Sequence, residues 1–365
     1  MKTGIRIALF FVSIYAALIL VVPSAPAHAA ITGDALFPVI EHYSGAAVGS
    51  SFLGLSAAQQ NAELDSMVAL GIGWIRFDFQ WKNVQPNNGS SYNWAPIDAV
   101  VARVNAHHLQ ILGVIDYAPS WASGPCAAGT NCPPSSPALF AAFAKAAAQR
   151  YTSQGVTKWE IWDEPNNDVF WGGNTNCGAY SSDLIAAYIA IKQVNPTAGV
   201  ISGGLAPEST SAGNMSPTDF LSCIYYNGGK GYFDAVGDHP YTFPQMPTQT
   251  GLGAWAQMMA TSPSLRSIMI AHGDAGKRIW LTEFGAPTNG PDPTYYMSEW
   301  QQNSMVTAAL NLYMTYDWAG PLFWYTFEDS GTSASTNENF FGLVRYDGST
   351  KPAYTTLMWA IKAGL

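Results

Sequence analysis

The chain has 365 residues, with 16 lysines and arginines against 25 aspartates and glutamates, a formal charge of −9 at pH 7. An acidic chain without basic clusters is poorly suited to nucleic acid or to anionic membranes, so neither is expected as a partner. Only 11% of residues are charged while 13% are aromatic, a balance that fits a large buried core.

At the N-terminus, Lys2 and Arg6 precede an apolar run from Ile7 to Val22, followed by Pro23, Pro26 and Ala27-His28-Ala29. That charged, apolar and small-residue order predicts a secretory signal peptide over residues 1–29 and a mature chain from Ala30. The apolar run is shorter than the roughly 20 residues a spanning helix needs; an uncleaved anchor is the alternative. No later segment reads as transmembrane, and a secreted, extracellular protein is expected. Without Lys2 and Arg6, 14 basic residues face 25 acidic ones, a formal charge of −11. Residues 30–365 exceed the usual length of one domain, but barrels of alternating strands and helices reach this size as single units.

In chain order, Ala46 to Val48 is a candidate first strand. Ser56 and Gln59 form a capping box for a helix that Gly71 would end. Trp74 to Phe79 reads as a strand, Pro96 opens a helix with Ile97, Val100, Val101 and Val104 on one face, and Ile111 to Asp116 is the next buried strand. Leu139, Phe140 and Phe143 begin a helix before the strand at Trp159. Tyr180, Leu184, Ile185, Tyr188 and Ile189 mark another before Val200 to Gly203. Phe220, Leu221 and Ile224 precede a strand over Tyr232 to His239, and Trp255 to Met269 precedes Arg278 to Glu283. A last strand is expected over Pro321 to Phe327, and a closing helix over Ala353 to Ala363. Eight strand–helix cycles predict an α/β fold, a single (β/α)8 TIM barrel. A doubly wound open sheet is the alternative, but it would usually carry a Gly-rich phosphate loop after its first strand, and none is present.

The cysteines are Cys126, Cys132, Cys177 and Cys223, an even set in an oxidising compartment, which reads as two disulfides. Cys126 and Cys132 flank a short Gly-containing loop and are paired; Cys177 and Cys223 pair by elimination. No Cys-x-x-Cys or His-Glu-x-x-His spacing occurs, so no metal is expected.

In such a barrel the chemistry belongs at the C-terminal ends of the strands. The polar residues fall there: Arg76 and Asp78 in the second strand, Asp116-Tyr117 at the end of the third, Asp163-Glu164 of the fourth, His239-Pro240-Tyr241 of the sixth, Thr282-Glu283 of the seventh and Trp324-Tyr325 of the eighth. Two of these stretches are Trp159-Glu160-Ile161-Trp162-Asp163-Glu164-Pro165-Asn166 and Trp280-Leu281-Thr282-Glu283-Phe284-Gly285. With Trp74-Ile75-Arg76-Phe77-Asp78, Asp238-His239-Pro240-Tyr241 and Phe323-Trp324-Tyr325, they resemble the clan A glycoside hydrolases. The likeness is nearest to family 39 and to actinobacterial proteins labelled cellulase-family glycosyl hydrolases, and runs from about Val48 to the C-terminus.

The resemblance implies a glycosidase acting on a polysaccharide or oligosaccharide, with Glu164 as general acid and then base and Glu283 as nucleophile. That retaining mechanism needs the carboxyls about 5–5.5 Å apart. It further implies that Arg76 and Tyr241 hydrogen-bond Glu283, that His239 lines the sugar subsite and that Trp324 is the platform under the ring. Asp163 departs from the clan, where Asn usually precedes the acid/base; an aspartate accepts a hydrogen bond there but donates none, and its charge should hold up the pKa of Glu164. Tyr117, Trp121 and Trp171 are further candidates for stacking on sugar. Glu160, Glu328, Asp329 and Glu338 read as structural or remote-subsite groups, and His42, His107 and His108 as solvated or packing residues. No cofactor is expected, because two carboxylates suffice for the chemistry. A catalytically silent, polysaccharide-binding barrel and an inverting glycosidase are the other readings. A serine hydrolase is disfavoured, since no Gly-x-Ser-x-Gly elbow occurs. Sugar, linkage, mode of cleavage and oligomeric state have no signature in the sequence.

Overall fold

A computed structural model describes residues 44–49, 51–89, 91–249 and 254–363. The expected signal segment and His42 lie outside the described residues. Eight parallel strands close in the order β1 to β8: Ser44–Ala47, Trp74–Gln80, Gln110–Asp116, Lys158–Asp163, Gly199–Gly204, Ala235–Asp238, Arg278–Phe284 and Ala319–Tyr325. β1 pairs with both β2 and β8, which completes the barrel.

Helices fill the crossovers. The first, α1 (Ala57–Leu70), is set by its ends: Ser56 and Gln59 form the expected capping box, and Gly71 closes the helix in the left-handed region at φ 103°. Then come α2 (Trp81–Val84), α3 (Ala95–Ala106), α4 (Pro137–Tyr151), α5 (Cys177–Val194), α6 (Pro217–Tyr226), α7 (Ala254–Met259), α8 (Leu265–Ala271), α9 (Glu299–Tyr313) and α10 (Pro352–Ala363). β6 is shorter than the expected 232–239 strand, and β8 starts and ends two residues earlier than expected.

Alternation along the strands divides the core in two. Ile75, Phe77 and Phe79 of β2 face outwards and pack with the helices in the main cluster. Trp74, Leu112, Ile201, Ala235, Phe323 and Ala47 face inwards and plug one end of the barrel. Beyond that apolar floor the inward positions turn polar: Arg76 and Asp78 on β2, Asp116 on β3, Glu160 on β4 and Thr282 on β7, all buried. Disulfides join Cys126 to Cys132 and Cys177 to Cys223. Among the described residues, no helix is long and apolar enough to cross a membrane.

Candidate active site

Buried charge needs partners, and the polar layer is organised by one guanidinium. Arg76, only 1% exposed, donates through Nε to Glu160 Oε2 (2.6 Å), through Nη1 to Glu283 Oε1 (2.5 Å) and through Nη2 to Asp163 Oδ1 (2.7 Å). Burial opposes its charge, but the three carboxylates more than offset that and keep it cationic. Glu160 is itself fixed by the Gly204 N–H (2.7 Å) and the Thr282 hydroxyl (2.8 Å). It holds the arginine in place and has no opening to a ligand.

Local backbone irregularity brings neighbouring residues to the same side. Glu160 and Asp163 are three apart, which simple alternation would put on opposite faces of β4. Trp162 sits between them at φ 74° and Glu164 follows at φ 45°, both in the left-handed region that a bulky residue rarely adopts. These turns bring Asp163 to Arg76 and carry Glu164 into the cleft. On β7 the register shifts between Leu281 and Phe284, so that Thr282 meets Glu160 while its neighbour Glu283 meets Arg76.

Glu164 and Glu283 approach a common group, the His239 imidazole. Its Nδ1 lies 3.0 Å from Glu164 Oε1 and 3.7 Å from Glu283 Oε2, so those two oxygens are at most about 6.7 Å apart, the sum of the two distances. Tyr241 donates its hydroxyl to Glu283 Oε2 at 2.7 Å, and Tyr117 donates to Asp163 Oδ2 at 3.0 Å. Burial and then the Asp163 charge push Glu164 well above the usual carboxylate range. Burial also pushes Glu283 up, to about 7, against the downward pull of His239 and Arg76. Burial opposes ionisation of Asp163 too, but there Arg76 and His239, with the Tyr117 bond, win and hold it low. The arrangement keeps a proton on Glu164 while supporting an anion at Asp163 and a readily formed one at Glu283.

The cleft they open into has a volume of about 590 Å³. Asp78, Lys82, Tyr117, Asn131, Asn167, Phe170 and Glu208 border it from the β2–β5 side, and Tyr241, Phe243, Tyr325, Glu338 and Phe341 from the β6–β8 side. Asp163, His239 and Glu283 each place one possible metal-ligand atom within 4.8 Å of the others. The Arg76 guanidinium already bonds two of the three, which opposes a second cation there.

Of the residues singled out in the sequence, Glu164, Glu283, Asp163, Tyr241 and Tyr117 border this cleft, and Arg76 supports its floor. Trp324 does not. It points outwards from β8, is 3% exposed and packs on Phe284 and against α9, because Phe323 and Tyr325 take the inward positions on either side. Tyr325 is the β8 aromatic that borders the cleft, with its hydroxyl on Glu338 at 2.8 Å. His239 is also corrected: fully buried, it stands between the carboxylates and does not line the cleft wall. Gly204 makes room for it, since a Cβ there would overlap the imidazole. Trp171 packs on Trp162, and Trp121 donates to the Gln85 carbonyl at 2.9 Å; neither borders the cleft. His107 is tied to Arg103 and Asp65, Asp329 to Lys351.

Sequence reasoning passed over Lys82, Asn131, Asn167, Glu208 and the Phe243–Phe341 pair. Lys82 stands in the single-turn helix α2 and the others in loops, where no periodicity marks orientation; only their position after a strand end was available as a signal.

No family model matches the sequence, and no curated protein matches it. Solved structures do. One is a family 39 glycoside hydrolase from the gut symbiont Bacteroides cellulosilyticus WH2, 22% identical with a TM-score of 0.67, over 88% of this chain and 64% of that one. A monomeric β-xylosidase from Caulobacter crescentus CB15 is 17% identical with a TM-score of 0.65, over 87% and 67%. Xylanase 10B from Thermotoga petrophila RKU-1, in complex with xylobiose, is 14% identical with a TM-score of 0.59, over 91% and 97%. The chain thus spans about two thirds of the length of the first two. What it shares with all three is the (β/α)8 fold.

Proposed function

We propose that this protein is a retaining glycoside hydrolase of clan A, nearest to family 39, and that it is secreted and cleaves a β-linked glycan or exopolysaccharide. The observation that carries the reading is the pairing of Glu164 with Glu283 across one imidazole at the mouth of the barrel, one carboxyl biased towards the acid and the other braced by Arg76 and Tyr241. The bound of about 6.7 Å on two of their oxygens accommodates the ~5–5.5 Å spacing of a retaining pair. Similarity to a β-xylosidase supports a β-linked substrate. Two disulfides and the order of the N-terminal residues support export.

In the first step a Glu283 oxygen attacks the anomeric carbon while the bond from that carbon to the leaving oxygen breaks. Glu164 gives its proton to that oxygen, so the departing sugar leaves as an alcohol. Arg76 and Tyr241 hold the attacking carboxylate and spread its charge. In the second step Glu164, now an anion, takes a proton from water. The water oxygen attacks the same carbon, the bond to Glu283 breaks, and both carboxyls return to their starting states.

Azide rescue on a panel of aryl β-glycosides tests this. Glu283→Ala should lose hydrolysis and, with azide, yield the α-glycosyl azide. Glu164→Ala should cleave only substrates with good leaving groups and yield the β-glycosyl azide. Hydrolysis by wild type with inversion at the anomeric carbon would overturn the reading.

A further inference from the structure

One cation borders the cleft without an acidic partner. Lys82 follows β2 in the short helix α2, its backbone N–H anchored to the Tyr117 carbonyl at 2.9 Å. Its ammonium lies 4.6 Å from the centre of the Tyr117 ring and donates to Asn131 Oδ1 at 3.0 Å. Among the described residues no carboxylate reaches salt-bridge distance of it, whereas Lys192, Lys277 and Lys351 each have one. An ammonium has three donors, and one is committed here. Because Lys82 takes up the Asn131 carbonyl oxygen, the Asn131 amide nitrogen turns its two donors elsewhere. The loop that carries Asn131 is fixed on three counts: Cys132 is disulfide-bonded to Cys126, the Asn131 N–H donates to Val169 O (2.8 Å), and the Gly172 N–H donates to Asn131 O (2.8 Å).

We propose that Lys82 and the Asn131 amide form a carboxylate-binding subsite, and that the glycan processed here carries uronic acid residues. The inference rests on the glycosidase reading for the ligand being a sugar. A fixed pair of neutral and cationic donors suits a carboxylate, which accepts through two oxygens and is strengthened by the charge. The acidity of the rest of the cleft does not defeat this. Burial pushes Asp116 well above the usual range, against the pull of the Lys82 charge, and Asp78 up to about 6, so these two carboxyls hold protons over part of the range in which a uronate is already ionised.

The test is ligand binding to full-length protein, followed by NMR titration, with no turnover required. The probes are D-glucuronate, D-galacturonate and D-mannuronate, each against its neutral parent glucose, galactose or mannose. At least one uronate should bind tenfold or more tighter than its parent. That preference should vanish in Lys82→Gln, persist in Lys82→Arg and shrink as salt is raised. Matching thermal unfolding of the two variants establishes that both are folded. No uronate binding tighter than its parent, or a preference that survives Lys82→Gln, would overturn the subsite. Either result leaves the azide-rescue outcome untouched, so the failure of one reading is separable from that of the other.

Discussion

Replacing Asp163 by asparagine changes a charge with almost no change of shape, and the site makes its consequence calculable. Asp163 and Glu283 place oxygens within 4.8 Å of each other. At an effective dielectric of about 20, two such charges repel by about 3.5 kcal/mol, or about 2.5 pH units on the midpoint of Glu283; in bulk water the figures fall to about 0.9 kcal/mol and about 0.6. The site is buried but opens into a cleft, so a drop of roughly one to two pH units lies between these limits. Removing an anion favours ionisation of its neighbour, so the midpoint of Glu283, held at about 7 by burial, must fall. The Arg76 charge, no longer shared with an Asp163 anion, acts in the same direction. Carbon-13 NMR titration of labelled glutamate carboxyls, with Glu283→Gln for assignment, reads this without any knowledge of the sugar. A Glu283 midpoint that stays where it was, or rises, would refute the electrostatic account of the site. The same charge raises Glu164, so in turnover both limbs of the pH profile should move to lower pH while appreciable activity remains.

Trp324→Ala should cost about 3–5 kcal/mol in denaturant unfolding, as expected for a large buried side chain, and Tyr325→Ala should weaken sugar binding instead. Asp183 on α5 is buried, with its carboxyl pushed up to about 8 by burial alone. The folded state therefore binds a proton that the unfolded chain has released between about pH 4 and 8, and stability must fall as pH rises through that window. Asp183→Asn should remove the fall, with unfolding free energies that match wild type near pH 4 and exceed it by up to a few kcal/mol near pH 8. Replacing Cys177 and Cys223 by serine opens a closure of 46 residues and should cost about 2–4 kcal/mol, read as a lower unfolding midpoint.

The barrel was legible in the sequence because each crossover restarts the same pattern. The Ser56–Gln59 cap and Gly71 stop appear in the structure as read. So was the meeting of Arg76, Glu283 and Tyr241, because residues at the C-terminal ends of barrel strands converge whatever their separation in the chain. Trp324 failed on parity: strand position alone does not settle which face a residue takes, and counting by twos from Phe323 would have turned Trp324 outwards. His239 failed for a different reason. Its seat exists only because Gly204 on the neighbouring strand has no side chain, and nothing local to either residue announces that pairing. The irregular backbone at Trp162 and Glu164 is equally silent in the sequence, yet it brings Asp163 to Arg76.

The central claim is that Glu283 becomes covalently bonded to the sugar. Incubating wild type and Glu283→Ala with a panel of 2-deoxy-2-fluoro β-glycosyl fluorides, then measuring intact mass and mapping the modified peptide, tests it directly. The account predicts a mass increase of one fluoroglycosyl group on wild type, placed on Glu283 and absent from the variant. A label on another residue, or turnover of the same reagents by wild type with no covalent adduct at any time, would contradict it.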